Sequence, residues 1–137
     1  MSNGNTVKKS LSAAALSAAL LALVSLPAEA ADVHGEIVTA ATHAGYAAQG
    51  TDLATVHMHL HHTLNCLVGP GGAGFDAKEL NPCAHSGNGA IPDSSDAAQK
   101  AALQKAANEA ATGIAETDLA KAQKDASTTE ALLKAQE

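Results

Sequence analysis

Leu53-Ala54-Thr55-Val56-His57-Met58-His59-Leu60-His61-His62-Thr63-Leu64-Asn65-Cys66-Leu67 is the stretch from which both the fold class and the candidate chemistry follow. Leu53, Val56, Leu60, Leu64 and Leu67 recur at spacings of three and four, the period of a single buried stripe on an amphipathic helix. Upstream, Gly50 can close a preceding helix and Thr51 can cap this one. Downstream, Gly69-Pro70-Gly71-Gly72 stops it. The spacing therefore predicts a helix over residues 52–67.

Working outward, residues 32–49 are Ala-rich and uninterrupted, and predict a first helix that pairs with the second across the Gln49-Gly50-Thr51-Asp52 turn. Between Gly69 and Asp93 lie six Gly, three Pro and the turn signals Asn81-Pro82 and Gly87-Asn88-Gly89, so residues 68–95 read as one long irregular connection. Two more Ala-rich helices are expected over 96–115 and 117–136, capped by Ser95 and Thr117. The phrase Thr51-Asp52-Leu53-Ala54 returns as Thr117-Asp118-Leu119-Ala120, each time opening the second helix of a pair. The expected fold is all-α: an antiparallel four-helix bundle of two helical hairpins, joined by a long Gly/Pro-rich loop.

The N-terminal segment reads as an export signal rather than as part of that fold. Lys8 and Lys9 form a basic start, Leu11 to Leu26 an apolar stretch, and Ala28-Glu29-Ala30 an A-x-A cleavage site. The apolar stretch is diluted by Ala and Ser and falls short of the roughly 20 residues a spanning helix needs. Residues 1–30 are thus expected to be a cleaved signal peptide, leaving residues 31–137 as a single domain in the periplasm or outside the cell. Cleavage removes Lys8, Lys9 and Glu29 from 8 basic and 14 acidic residues, which leaves 6 and 13 and a formal charge of −7 with neutral His. That sign argues against nucleic acid as a partner, and no other segment is apolar enough to span a membrane.

Tyr46 and Phe75 are the only aromatic residues besides His, and Ala supplies most of the apolar count, so each buried side chain removes little area from water. A thin core of this kind gains from a covalent staple. Cys66 and Cys83 are an even pair in an oxidising compartment and are expected to form a disulfide that tethers the long loop, worth about 3 kcal/mol in the chain-entropy model. The competing reading makes them thiolate metal ligands.

Four of the seven histidines fall within residues 57–62. Core packing does not ask for them, since imidazole loses hydration on burial and is a middling helix former. At about 100° per residue, with Leu60 at the centre of the buried stripe, His57 and His61 lie about 60° and 100° to one side as an i, i+4 pair able to chelate one ion. His59 lies about 100° to the other side, Cys66 near 120° and His62 near 160°, while Met58 points away from the core. Neutral imidazole suits copper, zinc and nickel, and a thioether adds preference for Cu(I). The expected metal ligands are His57 and His61 at the centre, with His59, His62, His43 and Met58 as auxiliary donors; His34, His85 and Glu36 are further candidates. For a lone His such as His34 or His85, a solvated residue is the simpler reading.

With the His57 to His62 cluster, the stretch Ala41-Thr42-His43-Ala44-Gly45-Tyr46-Ala47-Ala48-Gln49-Gly50-Thr51-Asp52-Leu53 resembles the periplasmic small metal-binding proteins, SmbP-like His-bearing four-helix bundles whose hairpins repeat His-Ala, small residues and a Gly turn. The resemblance covers about a quarter of the chain. It implies an exported protein that binds several divalent ions, copper foremost, and buffers or stores them through His43, His57, His59, His61 and His62. Helices 3 and 4 carry no His, and the family pattern has no counterpart to the Cys66–Cys83 loop, so capacity is expected to be lower and confined to the first hairpin.

The expected function is therefore non-enzymatic metal binding, since no nucleophile, base and orienting group stand together. Two other classes stay open. One is a haem or redox protein, in which attachment through C-x-x-C-H is excluded and few large apolar residues are available for a haem pocket. The other is a pH-responsive stress or interaction protein whose histidines charge near pH 6.5. The Gly69 to Gly74 run is no phosphate loop, because it lacks the Lys-Ser or Lys-Thr ending and the preceding strand.

Overall fold

The computed structural model describes Met1, Asn3 and residues 30–137. The export signal, except for Met1, Asn3 and its last residue Ala30, lies outside the described residues. Within them the chain is all-helical: α1 Val33–Ala48, α2 Leu53–Val68, α3 Ala90–Asp93, α4 Ala97–Ala115 and α5 Leu119–Lys134. The four long helices start and stop within three residues of the bounds expected from sequence.

Each long helix begins on an aspartate. Asp32, Asp52, Asp96 and Asp118 accept hydrogen bonds from the backbone N–H groups of Gly35, Thr55, Gln99 and Lys121, at 2.9, 2.9, 2.6 and 3.0 Å. This corrects the caps expected at Thr51, Ser95 and Thr117. In each case the neighbouring Asp does the work, because a carboxylate both satisfies an orphan N–H and complements the positive end of the helix dipole. The repeated Thr-Asp-Leu-Ala phrase is this capping device used twice.

α1 packs against α2 and α5, and α4 packs against the same two helices. The small side chains of Ala40, Ala41, Ala44, Ala47, Ala106, Ala107, Ala110, Ala122 and Ala126 fill the interior around Ile37, Val56, Leu60, Leu64, Leu67, Leu103 and Leu133. A thin core of this composition requires close helix approach. At Gly113 of α4, a Cβ would lie 2.7 Å from Leu60 Cδ1 and 3.1 Å from Asp125 Cβ, so glycine is needed there for three helices to meet.

The connection between α2 and α4 departs from the irregular loop expected. It contains the one-turn α3 and is tied down at several points. Cys66 and Cys83 are joined in a disulfide with Cα atoms 5.1 Å apart. Next to Cys66, the fully buried Asn65 donates to the carbonyls of Asp76 (2.9 Å), Leu80 (3.1 Å) and Glu79 (3.4 Å), and accepts from the Asp76 N–H at 2.9 Å. One amide side chain thus supplies the partners that loop backbone would otherwise seek in water. Gly69 holds φ +65° where a Cβ would run into the Asn88 carbonyl, so the chain leaves α2 at a point only glycine can occupy. At the far end, the buried Glu36 of α1 accepts from the Gly89 N–H at 3.0 Å, and the Asp32 N–H donates to Ser86 O at 2.7 Å.

Candidate metal centre

The loop and the α1–α2 seam together shape the site. Along this seam α1 offers the small, fully buried Ala40, and Thr63 of α2 donates to Ala40 O (3.2 Å) and His59 O (3.0 Å), so the two backbones run close. Imidazoles replace the small side chains at one level. His43 from α1 and His59 and His62 from α2 bring one ring nitrogen each to within 4.8 Å of one another. The Nδ1 atoms of His43 and His59 are 3.2 Å apart. Ring centroids stand 5.1 Å apart for His43 and His62, 5.4 Å for His43 and His59, and 5.5 Å for His59 and His62. Tyr46, one turn after His43, lies edge-on to that ring at 5.7 Å and tilted against His59 at 5.4 Å.

The electrostatics hold these rings neutral. Burial lowers the pKa of His43 to about 4, and the positive charge that His62 and His59 would carry pushes it the same way. Burial also lowers His59 and His62, the latter further through His59, while Glu79 works against the fall. Neutral imidazole is the form that ligates metal. His62 is the most enclosed of the three, 7% exposed, and its Nδ1 is buried with no hydrogen-bond partner. Its Nε2 lies 3.7 Å from a Glu79 carboxylate oxygen. A ring with one orphaned buried nitrogen and the other turned toward a carboxylate has the arrangement of a metal-binding histidine and its supporting acid.

The remaining sequence-derived candidates fall elsewhere. His57 points to the α4–α5 turn, where its Nε2 meets Glu116 O at 2.9 Å. His61 faces the loop, with Nδ1 3.9 Å from an Asp76 carboxylate oxygen. Neither belongs to the three-His group, so the pair expected at the centre is split between two other contacts. Met58 is exposed on the outer side of α2, and His34 and His85 are exposed and outside the group. Cys66 and Cys83 are consumed in the disulfide, which removes thiolate from the donor set.

His62, placed on the outward side by the sequence reading, is buried because residues 76–80 lie across that face of α2. Asn65 sits at the centre of the covered strip, with His61 on one flank and His62 on the other. His43 and His59 were the weaker candidates in the sequence, and it is the α1–α2 seam that joins them to His62. A signal for this was present: Cys66 must face the rest of the chain to pair with Cys83, and His59 and His62 share its side of the helix.

A surface cavity of about 600 Å³ lies at the other end of the loop, lined by Val68, Pro70 to Ala73, Asn88, Ile91, Pro92, Lys100 and Gln104. It contains no histidine and gives the haem reading no axial ligand. Comparison of the chain with protein-family models, with curated proteins and with solved structures returns no match.

Proposed function

We propose that this chain is an exported, non-enzymatic protein that binds a transition metal ion, copper foremost with zinc or nickel as alternatives, through His43, His59 and His62. The observation that carries the reading is the convergence of three neutral imidazoles on one point, with the His62 Nδ1 buried and unpartnered. Leaving a buried polar atom unmatched costs about 1–3 kcal/mol, and a bound cation would satisfy it along with its two neighbours. No helix among the described residues is long and apolar enough to cross a membrane, and the disulfide fits an oxidising compartment; both support export of the mature segment. The packing of α1 and α4 each against α2 and α5 supports the antiparallel four-helix bundle.

Calorimetric titration of residues 31–137 with Cu(II) and Zn(II) tests this. One ion per chain is expected, with affinity falling at least tenfold in H43A and in H62A and changing less than threefold in the H57A/H61A double variant. The reverse pattern would return the site to the His57–His61 pair. No uptake by the wild-type chain would end the metal reading altogether.

A further inference from the structure

The metal site makes no use of the Gly-rich run that follows α2, yet that run has a specific conformation. Gly69 (φ +65°) and Gly89 (φ +115°) meet backbone to backbone. A Cβ on Gly89 would lie 2.6 Å from the Gly69 nitrogen, and one on Gly69 would strike the Asn88 carbonyl. Only glycine fits on either side of that crossing. It holds two passes of the loop, residues 70–73 and 88–92, near the C-terminal end of α2. The cavity of about 600 Å³ opens between them and α4.

Its volume falls within the range of about 300–1,000 Å³ typical of small-molecule sites, and Val68, Ala73, Ile91 and Pro92 give it apolar walls. Those walls stand before any ligand arrives: Glu36 holds the Gly89 N–H, and Asp93 holds both the N–H and the side-chain amide of Asn88. Little ordering is left for a ligand to impose. From α4, Lys100 and Gln104 line the same space one turn apart. Lys100 is the only charged residue in the lining, and it enters no ion pair among the described residues. On the loop wall, the N–H groups of Gly71 and Ala73 donate to no acceptor among the described residues. The acidic residues closest to Lys100 and Pro92 in the chain are Asp96 and Asp93, and both are engaged, by the Gln99 N–H and by Asn88. Their charge remains and limits what Lys100 can contribute to binding an anion.

We propose that this cavity binds a small organic acid, a monocarboxylate whose apolar body lies against Val68, Ala73, Ile91 and Pro92 and whose carboxylate meets the Lys100 ammonium. The apolar lining supplies affinity for the body, and the one unpaired cation fixes which end of the ligand faces α4. None of the three clustered histidines lines the cavity, so the site stands whether or not the chain takes up metal. It gives the Gly-rich run a role, since the Gly69–Gly89 crossing is what brings the two loop walls together.

The test titrates the metal-free mature protein with 1-naphthaleneacetate and, separately, with its neutral amide, following amide and methyl resonances by NMR. Both probes are expected to give saturable shifts centred on Val68, Ala73, Ile91 and Lys100. The acid should bind about fivefold more tightly than the amide, the size of one solvent-accessible ion pair. K100M, at an exposed position of α4, should bring the two affinities together, with unchanged resonances elsewhere confirming the fold. Q104E, which adds a negative charge to the wall, should weaken the acid and leave the amide within about twofold of wild type. The inference is overturned if neither probe gives saturable shifts, if acid and amide bind equally to the wild-type protein, or if K100M keeps the preference. Shifts centred on His43, His59 and His62 would overturn it too, by placing the acid at the histidine cluster. None of these results bears on metal uptake, which is read separately by the calorimetric titration above.

Discussion

Replacing Glu36 with Gln is expected to stabilise the metal-free chain above pH 7 and not at pH 4. The side chain is fully buried; one oxygen accepts from Gly89 and the other, Oε2, has no partner. Burial raises its pKa most, the Gly89 hydrogen bond works against the rise and the charges of Asp93 and Asp32 add to it, leaving about 7 in place of 4.5. The folded state therefore holds this proton more tightly than the unfolded state. As pH climbs through 4.5 the unfolded chain ionises first, and folding carries a penalty that grows until about pH 7. The difference between the two values corresponds to about 3 kcal/mol. Gln keeps an oxygen for Gly89 but sets an unmatched N–H₂ in place of Oε2, a loss of about 1–2 kcal/mol at every pH. The net gain at pH 8 is then about 1–2 kcal/mol, against a loss of similar size at pH 4.

His43 runs the other way: its folded pKa of about 4 lies below the usual 6.5, so the unfolded chain binds protons first and stability falls as pH drops through that window. In the wild-type protein these two slopes oppose each other between pH 4.5 and 6.5. In E36Q the histidine slope stands alone, so stability should rise with pH across that interval. Urea denaturation at fixed ionic strength from pH 4 to 8 reads both effects. A difference between variant and wild type that is the same at pH 4 and pH 8 would refute the assignment of a raised pKa to Glu36.

Metal present at about one hundred times its Kd should stabilise the wild-type chain by about 2.7 kcal/mol and raise its Tm accordingly, and H62A should abolish the shift in the same thermal scan. N65A strips the partners from the 76–80 backbone and is expected to cost about 2–4 kcal/mol, with amide exchange accelerated first in those residues. G113A drives a methyl into Leu60 and Asp125 and should cost about 1–3 kcal/mol in denaturant titration; no loss would mean the α2–α4–α5 contact is looser than described. The C66A/C83A double variant should lose about 3 kcal/mol, measured against the oxidised chain.

Local signals in the sequence carried the fold well. Ala-rich stretches punctuated by Gly50, Gly69 and the Asp-bearing turns marked four helices, because breakers and caps act through a few neighbouring residues. The capping residues were misread by one position, since Ser or Thr beside Asp offers two acceptors and only the final backbone angles decide which reaches the N–H three residues on. α3 could not be read at all: Ala90-Ile91-Pro92-Asp93 has no helical period of its own. Its single turn stands between Gly89, whose N–H Glu36 holds, and Asp93, whose carboxylate accepts from Asn88. Order in the loop likewise comes from Asn65 and Cys66 on another element, and long-range tethers leave no mark in the sequence of the segment they tether.

The histidines show why a site is harder to read than a fold. A helical wheel gives the angle of each side chain about its own axis and says nothing of what stands opposite. On that wheel His57 and His61 make the better pair, yet an i, i+4 pair can complete a site only if the facing element adds donors, and the elements facing those two are the Glu116 carbonyl and the loop carboxylate of Asp76. His59 and His62 lie on the side where α1 approaches, and α1 is the only other long helix that carries histidine. The approach itself is set by alanines and by Thr63, residues with no ligand chemistry. Packing therefore selects which imidazoles meet here. It follows that widening the seam should weaken the site without touching a donor. A40L, which forces a larger side chain into a fully buried position whose carbonyl Thr63 reaches, is expected to lower metal affinity with all three histidines present. If A40L keeps wild-type affinity in calorimetric titration while losing stability, the seam does not set the spacing of the imidazoles, and the selection must lie in the rings themselves.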